Sequence, residues 1–161
     1  KIHIYSKTIG GQLAPFDSFL IERGIKTLPL RMDKINENAI AIANYLKTEP
    51  KVKNVYYVGL EDAPGYEVNK KQASGFGGMI SIEVESKELA EKILSDVKIF
   101  QYAESLGGVE SLITYPMLQT HVDVPEEERN RRGINDRFLR LSVGIENSKD
   151  LIDDLKQAIY G

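Results

Sequence analysis

Met79-Ile80-Ser81-Ile82-Glu83-Val84 runs on into Glu85-Ser86-Lys87-Glu88-Leu89-Ala90-Glu91-Lys92-Ile93-Leu94, and the spacing of apolar residues changes between the two halves. In the first half Ile80, Ile82 and Val84 alternate with Met79, Ser81 and Glu83, the period of a strand with one buried face. In the second half Leu89, Ala90, Ile93 and Leu94 share one side of a helix, which Ser86 is placed to cap.

The same reading extends in both directions. Upstream, Tyr66 to Ala73 reads as a helix, and the β-branched and aromatic run Val52 to Val58 as a strand. A long helix is expected from about Leu28 to Thr48, closed by Pro50. Its apolar stripe is Met32, Ile35, Ala39, Ile42 and Leu46, with Asp33, Lys34, Glu37, Asn38, Asn44 and Lys47 off the stripe. Before it, Pro15 to Arg23 reads as a short helix that stops at Gly24, and Gly10-Gly11 reads as a hinge. Downstream, Val97 to Tyr102 reads as a strand. Pro125 and the acids Glu126 to Glu128 open a short polar helix. Phe138 to Val143 reads as a strand, and Asn147 or Ser148 caps a last helix that buries Leu151, Leu155 and Ile159. The fold class is therefore α+β: roughly four mainly antiparallel strands covered by helices on one face and preceded by a long helix.

Composition narrows the function classes. The 161 residues suit one compact domain, with 42% hydrophobic and 28% charged residues. Twenty-one bases against 24 acids leave a net charge of −3, which argues against a nucleic-acid partner. Cysteine is absent, so disulfides and thiolate zinc sites are excluded, in keeping with a cytoplasmic protein. Apolar runs are only a few residues long, against the roughly 20 that cross a bilayer, so no membrane partner is expected. Lys1-Ile2-His3-Ile4-Tyr5-Ser6-Lys7 has no signal-peptide layout and no initiator Met, so a piece of a longer chain is expected.

Three places could carry chemistry. In Phe138 to Val143 the alternation sends Leu139, Leu141 and Val143 one way and Arg140 the other, between Phe138 and Ser142. A strand holds such an arginine rigidly, and its planar fork matches a carboxylate. A surface arginine or a member of a structural ion pair would fit the same pattern. The loop Ala103-Glu104-Ser105-Leu106-Gly107-Gly108 offers a hydroxyl and backbone N–H groups, which suits an anion as well as a plain turn. Gly75-Phe76-Gly77-Gly78 has no following Lys-Ser/Thr and is no phosphate loop. His3 and His121 stand alone, so no metal site is expected. Arg129, Arg131, Arg132 and Arg137 follow three glutamates and read as a solvated face. Lys7, in Tyr5-Ser6-Lys7-Thr8, lies at a frayed start with no partner for a cofactor.

Four segments carry a resemblance. Gly10-Gly-Gln-Leu-Ala-Pro-Phe-Asp-Ser-Phe-Leu-Ile-Glu-Arg-Gly-Ile-Lys-Thr-Leu28, Ser74-Gly-Phe-Gly-Gly-Met-Ile-Ser81, Ala103-Glu-Ser-Leu-Gly-Gly-Val-Glu-Ser-Leu112 and Arg140-Leu-Ser-Val-Gly-Ile-Glu146 resemble, in order, segments of the Cys/Met-metabolism family. That family includes the cystathionine γ-synthases, cystathionine γ-lyases, cystathionine β-lyases and methionine γ-lyases. The resemblance implies the C-terminal, small domain of a fold-type I transferase, with 1–27 an interdomain segment and 28–161 the substrate-side domain. Pyridoxal 5'-phosphate would be bound by an N-terminal domain absent from this chain, so no catalytic or cofactor-binding residue is assigned here. Arg140 and Ser105 would grip the substrate α-carboxylate.

Glu104 is an acid at a position where, in this family, an acid marks substrates with a distal amino group, as in cystathionine. It points to a γ-synthase or γ-lyase. The implied substrates are sulfur amino acids or their precursors: cystathionine, cysteine or O-acylhomoserine. The full-length enzyme would be a homotetramer, and the 161 residues alone inactive. The family's His-Pro-Ala-x-Met-Thr-His stretch reads here Tyr115-Pro-Met-Leu-Gln-Thr-His121, so no catalytic role passes to that loop. A stand-alone amino-acid-binding regulatory module is the rival reading, as is an oligomerisation domain.

Overall fold

The computed structural model describes residues 2–11, 13–119 and 124–161. Its described residues form one five-stranded sheet, and the order follows from which apolar faces must meet. The strands are β1 (Val52–Tyr56), β2 (Met79–Val84), β3 (Gln101–Tyr102), β4 (Leu112–Thr114) and β5 (Phe138–Ser142). They lie in the order β1-β2-β5-β4-β3. All neighbours are antiparallel except β3 and β4, which run parallel. At the centre Ile80 pairs with Leu141 and Ile82 with Leu139. All four are at most 1% exposed, and burying each contributes about 1.5–3 kcal/mol.

The helices are α1 (Ile2–Ile9), α2 (Pro15–Lys26), α3 (Leu28–Thr48), α4 (Tyr66–Gln72), α5 (Lys87–Asp96), α6 (Glu126–Arg131) and α7 (Ser148–Tyr160). The chain divides into two compact units, Lys1–Arg31 and Met32–Gly161. In the larger, Ile42 and Leu46 of α3, Ile93 of α5 and Leu155 of α7 join the inward side chains of β2 and β5 in one buried cluster. Ser86 caps α5, its hydroxyl accepting from Leu89 N at 3.2 Å, and Asn147 caps α7 in the same way from Lys149 N. The opposite sheet face carries Ser81, Glu83, Phe138 and Arg140, all part exposed. In the smaller unit Ile2, Ile9, Phe16 and Ile25 are between 61% and 86% exposed. No described helix is long and apolar enough to cross a membrane.

Several expectations need correction. The sheet has five strands among the described residues, because the three-residue β4 reads in sequence as loop. The stretch Ile2–Ile9, read as a frayed start, is helical. Helix α2 passes through Gly24 and ends at Lys26. Gly24 does not take a positive φ. The break comes from Pro29, whose ring and missing N–H prevent one continuous helix. Asn38 is not off the apolar stripe but fully buried. The strand expected from Val97 shrinks to two residues, because the amides of Lys98, Ile99 and Phe100 donate to the Asp154 carboxylate at 2.8, 2.8 and 3.1 Å. An amide bonded to a side chain cannot serve a sheet ladder.

Asp154 is 4% exposed, so Asp154→Ala strands three amides and should cost about 3 kcal/mol in chemical denaturation. Asp153→Ala, which removes only a surface pair with Lys149, should stay within about 0.5 kcal/mol. Equal losses would remove the three-amide explanation.

Candidate functional site

The pairing of β4 with β5 and of β2 with β5 places Thr114 on one side of Arg140 and Ser81 on the other. Both neighbours are neutral hydroxyl residues, so the sheet gives the guanidinium no counter-charge. The acid of this face, Glu83, is already committed. Asn54 Nδ2 donates to it at 2.8 Å, Asn135 Nδ2 at 3.1 Å, and Arg137 pairs with it. These partners, the Asn54 bond foremost, hold the Glu83 carboxyl below its usual range.

Arg140 has two partners among the described residues. Its Nη2 donates to the backbone oxygen of Glu104 at 3.0 Å and to Thr114 Oγ1 at 3.2 Å. Its Nε is buried without a partner, and a buried orphan donor is costly unless something accepts from it. The alternative of a structural ion pair therefore finds no partner acid among the described residues.

The loop 103–111 reaches Arg140 because of strand direction. β3 and β4 are parallel neighbours, and a parallel connection has to carry the chain back along the sheet. Nine residues do this here, and they cross the face that bears Arg140 and Ser142. Thr114 Oγ1 donates to Ala103 O at 2.8 Å, and Gly107 N donates to Ser142 Oγ at 2.9 Å. Gly107 has φ 76°, the left-handed region in which glycine is at ease. Glu104 and Ser105 are exposed. The structure thus brings the Glu104 backbone to Arg140, with Ser105 next in chain, while the Glu104 carboxylate forms no ion pair among the described residues.

The far end of the loop is held by residues that reading the sequence did not single out. Glu146 accepts from Ser111 N at 2.7 Å and from Ser111 Oγ at 2.8 Å, and Ser111 Oγ accepts from Gly144 N at 2.9 Å. Asn38 Nδ2 donates to the backbone oxygens of Gly144 and Glu146 at 3.0 and 2.7 Å. A Cβ at Gly144 would lie 2.1 Å from Val109 O, so only glycine lets the β5 exit approach the loop so closely. One signal was available: position 38 lies between Ile35 and Ile42 at helical spacing, so its side chain belongs to the buried stripe.

The other glycine loop is spent on structure. Asn36 Oδ1 accepts from Phe76 N and Gly77 N at 3.0 and 2.7 Å, so those amides are not offered to an anion. Tyr57 donates to Gly77 O at 2.9 Å, and burial pushes its hydroxyl up to about 12. A hollow of about 680 Å³ lies elsewhere, along β1 between Leu46, Tyr56, Leu60 and Pro64, and shares no residue with Arg140 or its loop. Glu128 is drawn down to about 2 by Arg131 and Arg132, as a solvated charged helix would have it. Among the described residues no three His, Cys, Asp or Glu side chains gather as a metal site. Thr120 and His121 lie outside the described residues.

A sequence model of the Cys/Met metabolism PLP-dependent enzymes matches residues 1–160. The chain is 50% identical over 160 residues to a cystathionine beta-lyase of Coxiella burnetii, covering 99% of this chain and 41% of that protein. It is 47% identical over 159 residues to a cystathionine gamma-lyase of Bacillus subtilis, covering 99% and 42%. A crystal structure of cystathionine gamma synthase from Xanthomonas oryzae, in complex with aminoacrylate and cysteine, superposes with TM-score 0.90 at 41% identity, over 96% of this chain and 40% of that one. The chain belongs to the Cys/Met metabolism PLP-dependent enzyme family. It spans about two fifths of the length of the curated relatives it matches.

The ion-paired lysines among the described residues do not suit the family's cofactor. A cofactor lysine has to be desolvated beside a phosphate cradle. Six of the described lysines lie instead in surface ion pairs, from Lys26 with Glu22 to Lys149 with Asp153. Arg140 and its loop suit a carboxylate. The 161-residue chain mixed with pyridoxal phosphate and borohydride should therefore give no stoichiometric adduct on a single lysine, as read by mass spectrometry. One specific adduct would overturn the assignment of the cofactor to another domain.

Proposed function

We propose that this chain is the substrate-side domain of a pyridoxal-phosphate-dependent transsulfuration enzyme of cystathionine γ-synthase or γ-lyase type. The observation that carries this reading is Arg140, rigid on a central strand, flanked by neutral hydroxyls and left with a buried unpartnered Nε. The cofactor, held by an N-terminal domain, supplies the electron sink; this chain supplies orientation. Arg140 and Ser105 take the substrate α-carboxylate, which fixes the amino acid about its Cα. Glu104 attracts a distal ammonium group such as that of cystathionine. Cysteine and O-acylhomoserine are the other substrates in scope.

The exposed apolar residues of the smaller unit support a covering domain in the full-length protein, with residues 1–27 joining the two domains and 28–161 facing the substrate. Assembly as a homotetramer and cytoplasmic residence go with this reading, as does inactivity of the 161 residues alone. An upstream open reading frame at least as long as the chain, ending a strand in Ser-x-x-Lys, is expected at the gene. An initiator codon just before Lys1 would favour a stand-alone amino-acid-binding module instead.

In the full-length enzyme Arg140→Lys should keep the fold and lose the fork. The expected fall in kcat/KM is about 10²-fold, since charge-assisted hydrogen bonds contribute about 1.5–3 kcal/mol each. Normal turnover would remove the carboxylate assignment.

Glu104→Val separates substrates. Two unit charges about 4 Å apart attract by roughly 4 kcal/mol at an effective dielectric of about 20. Desolvation and screening leave about 1–2 kcal/mol, or about 5- to 30-fold in specificity. The variant should lose that factor toward cystathionine and spare methionine-like substrates. A uniform loss on both would reduce Glu104 to a structural residue.

A further inference from the structure

We propose that Ser142 is a positioning residue for substrate binding, its buried hydroxyl fixing the Ser105 loop relative to the Arg140 guanidinium. The inference rests on the carboxylate reading above. Ser142 is 3% exposed and stands two residues beyond Arg140 on β5, so both side chains leave the same face of the sheet. Its Oγ accepts from Gly107 N at 2.9 Å, while Arg140 Nη2 donates to Glu104 O at 3.0 Å. One strand therefore holds the loop at two points, and the exposed Ser105 and Leu106 lie between them.

The chemistry of the second tie favours a single geometry. Ser142 pairs across the ladder with Leu112, itself 3% exposed, so water and other polar groups have little access to the hydroxyl. Gly107, at φ 76°, turns its amide toward that hydroxyl. Removing the oxygen leaves the Gly107 amide without this acceptor, and the stretch between the Glu104 and Val109 ties, which carries Ser105, loses the bond at its middle. Thr114 holds the other end of the loop but also touches the guanidinium, so its loss would mix two effects. Among the described residues the Ser142 hydroxyl makes no hydrogen bond to Arg140 or Ser105, which makes it the cleaner probe.

The test uses the full-length enzyme with its cofactor and measures L-alanine and L-alaninamide as competitive inhibitors, together with kcat and the thermal midpoint. For Ser142→Ala the Ki of L-alanine should rise about 3- to 10-fold, with the Ki of L-alaninamide and kcat each changing less than about 2-fold. Ser142→Thr, which keeps the hydroxyl, should restore L-alanine binding. If Ser142→Ala does not fold, Ser142→Cys replaces the oxygen by a weak acceptor and is judged by the same ratio. A purely structural role would lower the thermal midpoint and weaken both inhibitors alike, and that result overturns the proposal, as does an unchanged Ki for both. Arg140→Lys is measured in parallel. If it leaves L-alanine binding intact, the carboxylate reading itself is lost. If it selectively weakens L-alanine while Ser142→Ala does not, only the role of Ser142 is lost.

Discussion

The register of β2 against β5, with Ile80 opposite Leu141 and Ser81 opposite Arg140, decides what every side chain of the sheet meets. A slip by one residue would turn Leu139 and Leu141 to water and drive Arg140 into the cluster built with α3, α5 and α7. An isolated charge in that cluster would cost far more than any single contact could return. The apolar packing of one face thus specifies the polar chemistry of the other. It needs no help from the loops to do so, because Ile80, Ile82, Leu139 and Leu141 are each at most 1% exposed.

On the polar face the loop between β3 and β4 does the rest. Parallel neighbours joined by nine residues bring that loop across the sheet, and it is held by side chains far away in sequence. Glu146 lies 35 residues from Ser111, and Asn38 lies more than 100 residues from the carbonyls it donates to. Glu146 and Ser111 are hydrogen-bonded to each other, whereas Asn38 uses only its amide nitrogen and its buried Oδ1 has no partner. Ser111 is central: its hydroxyl donates to Glu146 and accepts from Gly144 N. Several hydrogen bonds therefore tie the far end of the loop to the strand exit, and Arg140 itself is placed by the register of the sheet.

Much of this was legible in the residues. Helix α3 matches its expected span because a strong stripe and Pro50 agree on its limits, and β2 shows its alternation without ambiguity. Arg140 could be placed on the helix-free face from period two alone. Glu104 and Ser105 could not, since nothing local distinguishes their loop from a turn; the resemblance of the surrounding segment singled them out. Val97 to Tyr102 was misjudged because β-rich composition reports a packed, extended chain and not the partner of its amides. Asn38 and Asp154 share one lesson. Both sit on apolar stripes by spacing, Asp154 beside Leu151 and Leu155, and each is buried with hydrogen bonds to distant backbone.

The reach of Asp154 has a consequence for biosynthesis. It holds amides 54 to 56 residues behind it, and during translation those amides leave the ribosome well before their acceptor exists. At about 5–20 residues per second the interval is roughly 3 to 11 seconds. For that time the chain around β3 carries unpaired donors next to the apolar side chain of Phe100, which is the kind of segment that chaperones bind and that aggregates capture. Synonymous changes that slow translation between the codons for Phe100 and Asp154 would lengthen this exposure without altering a single side chain.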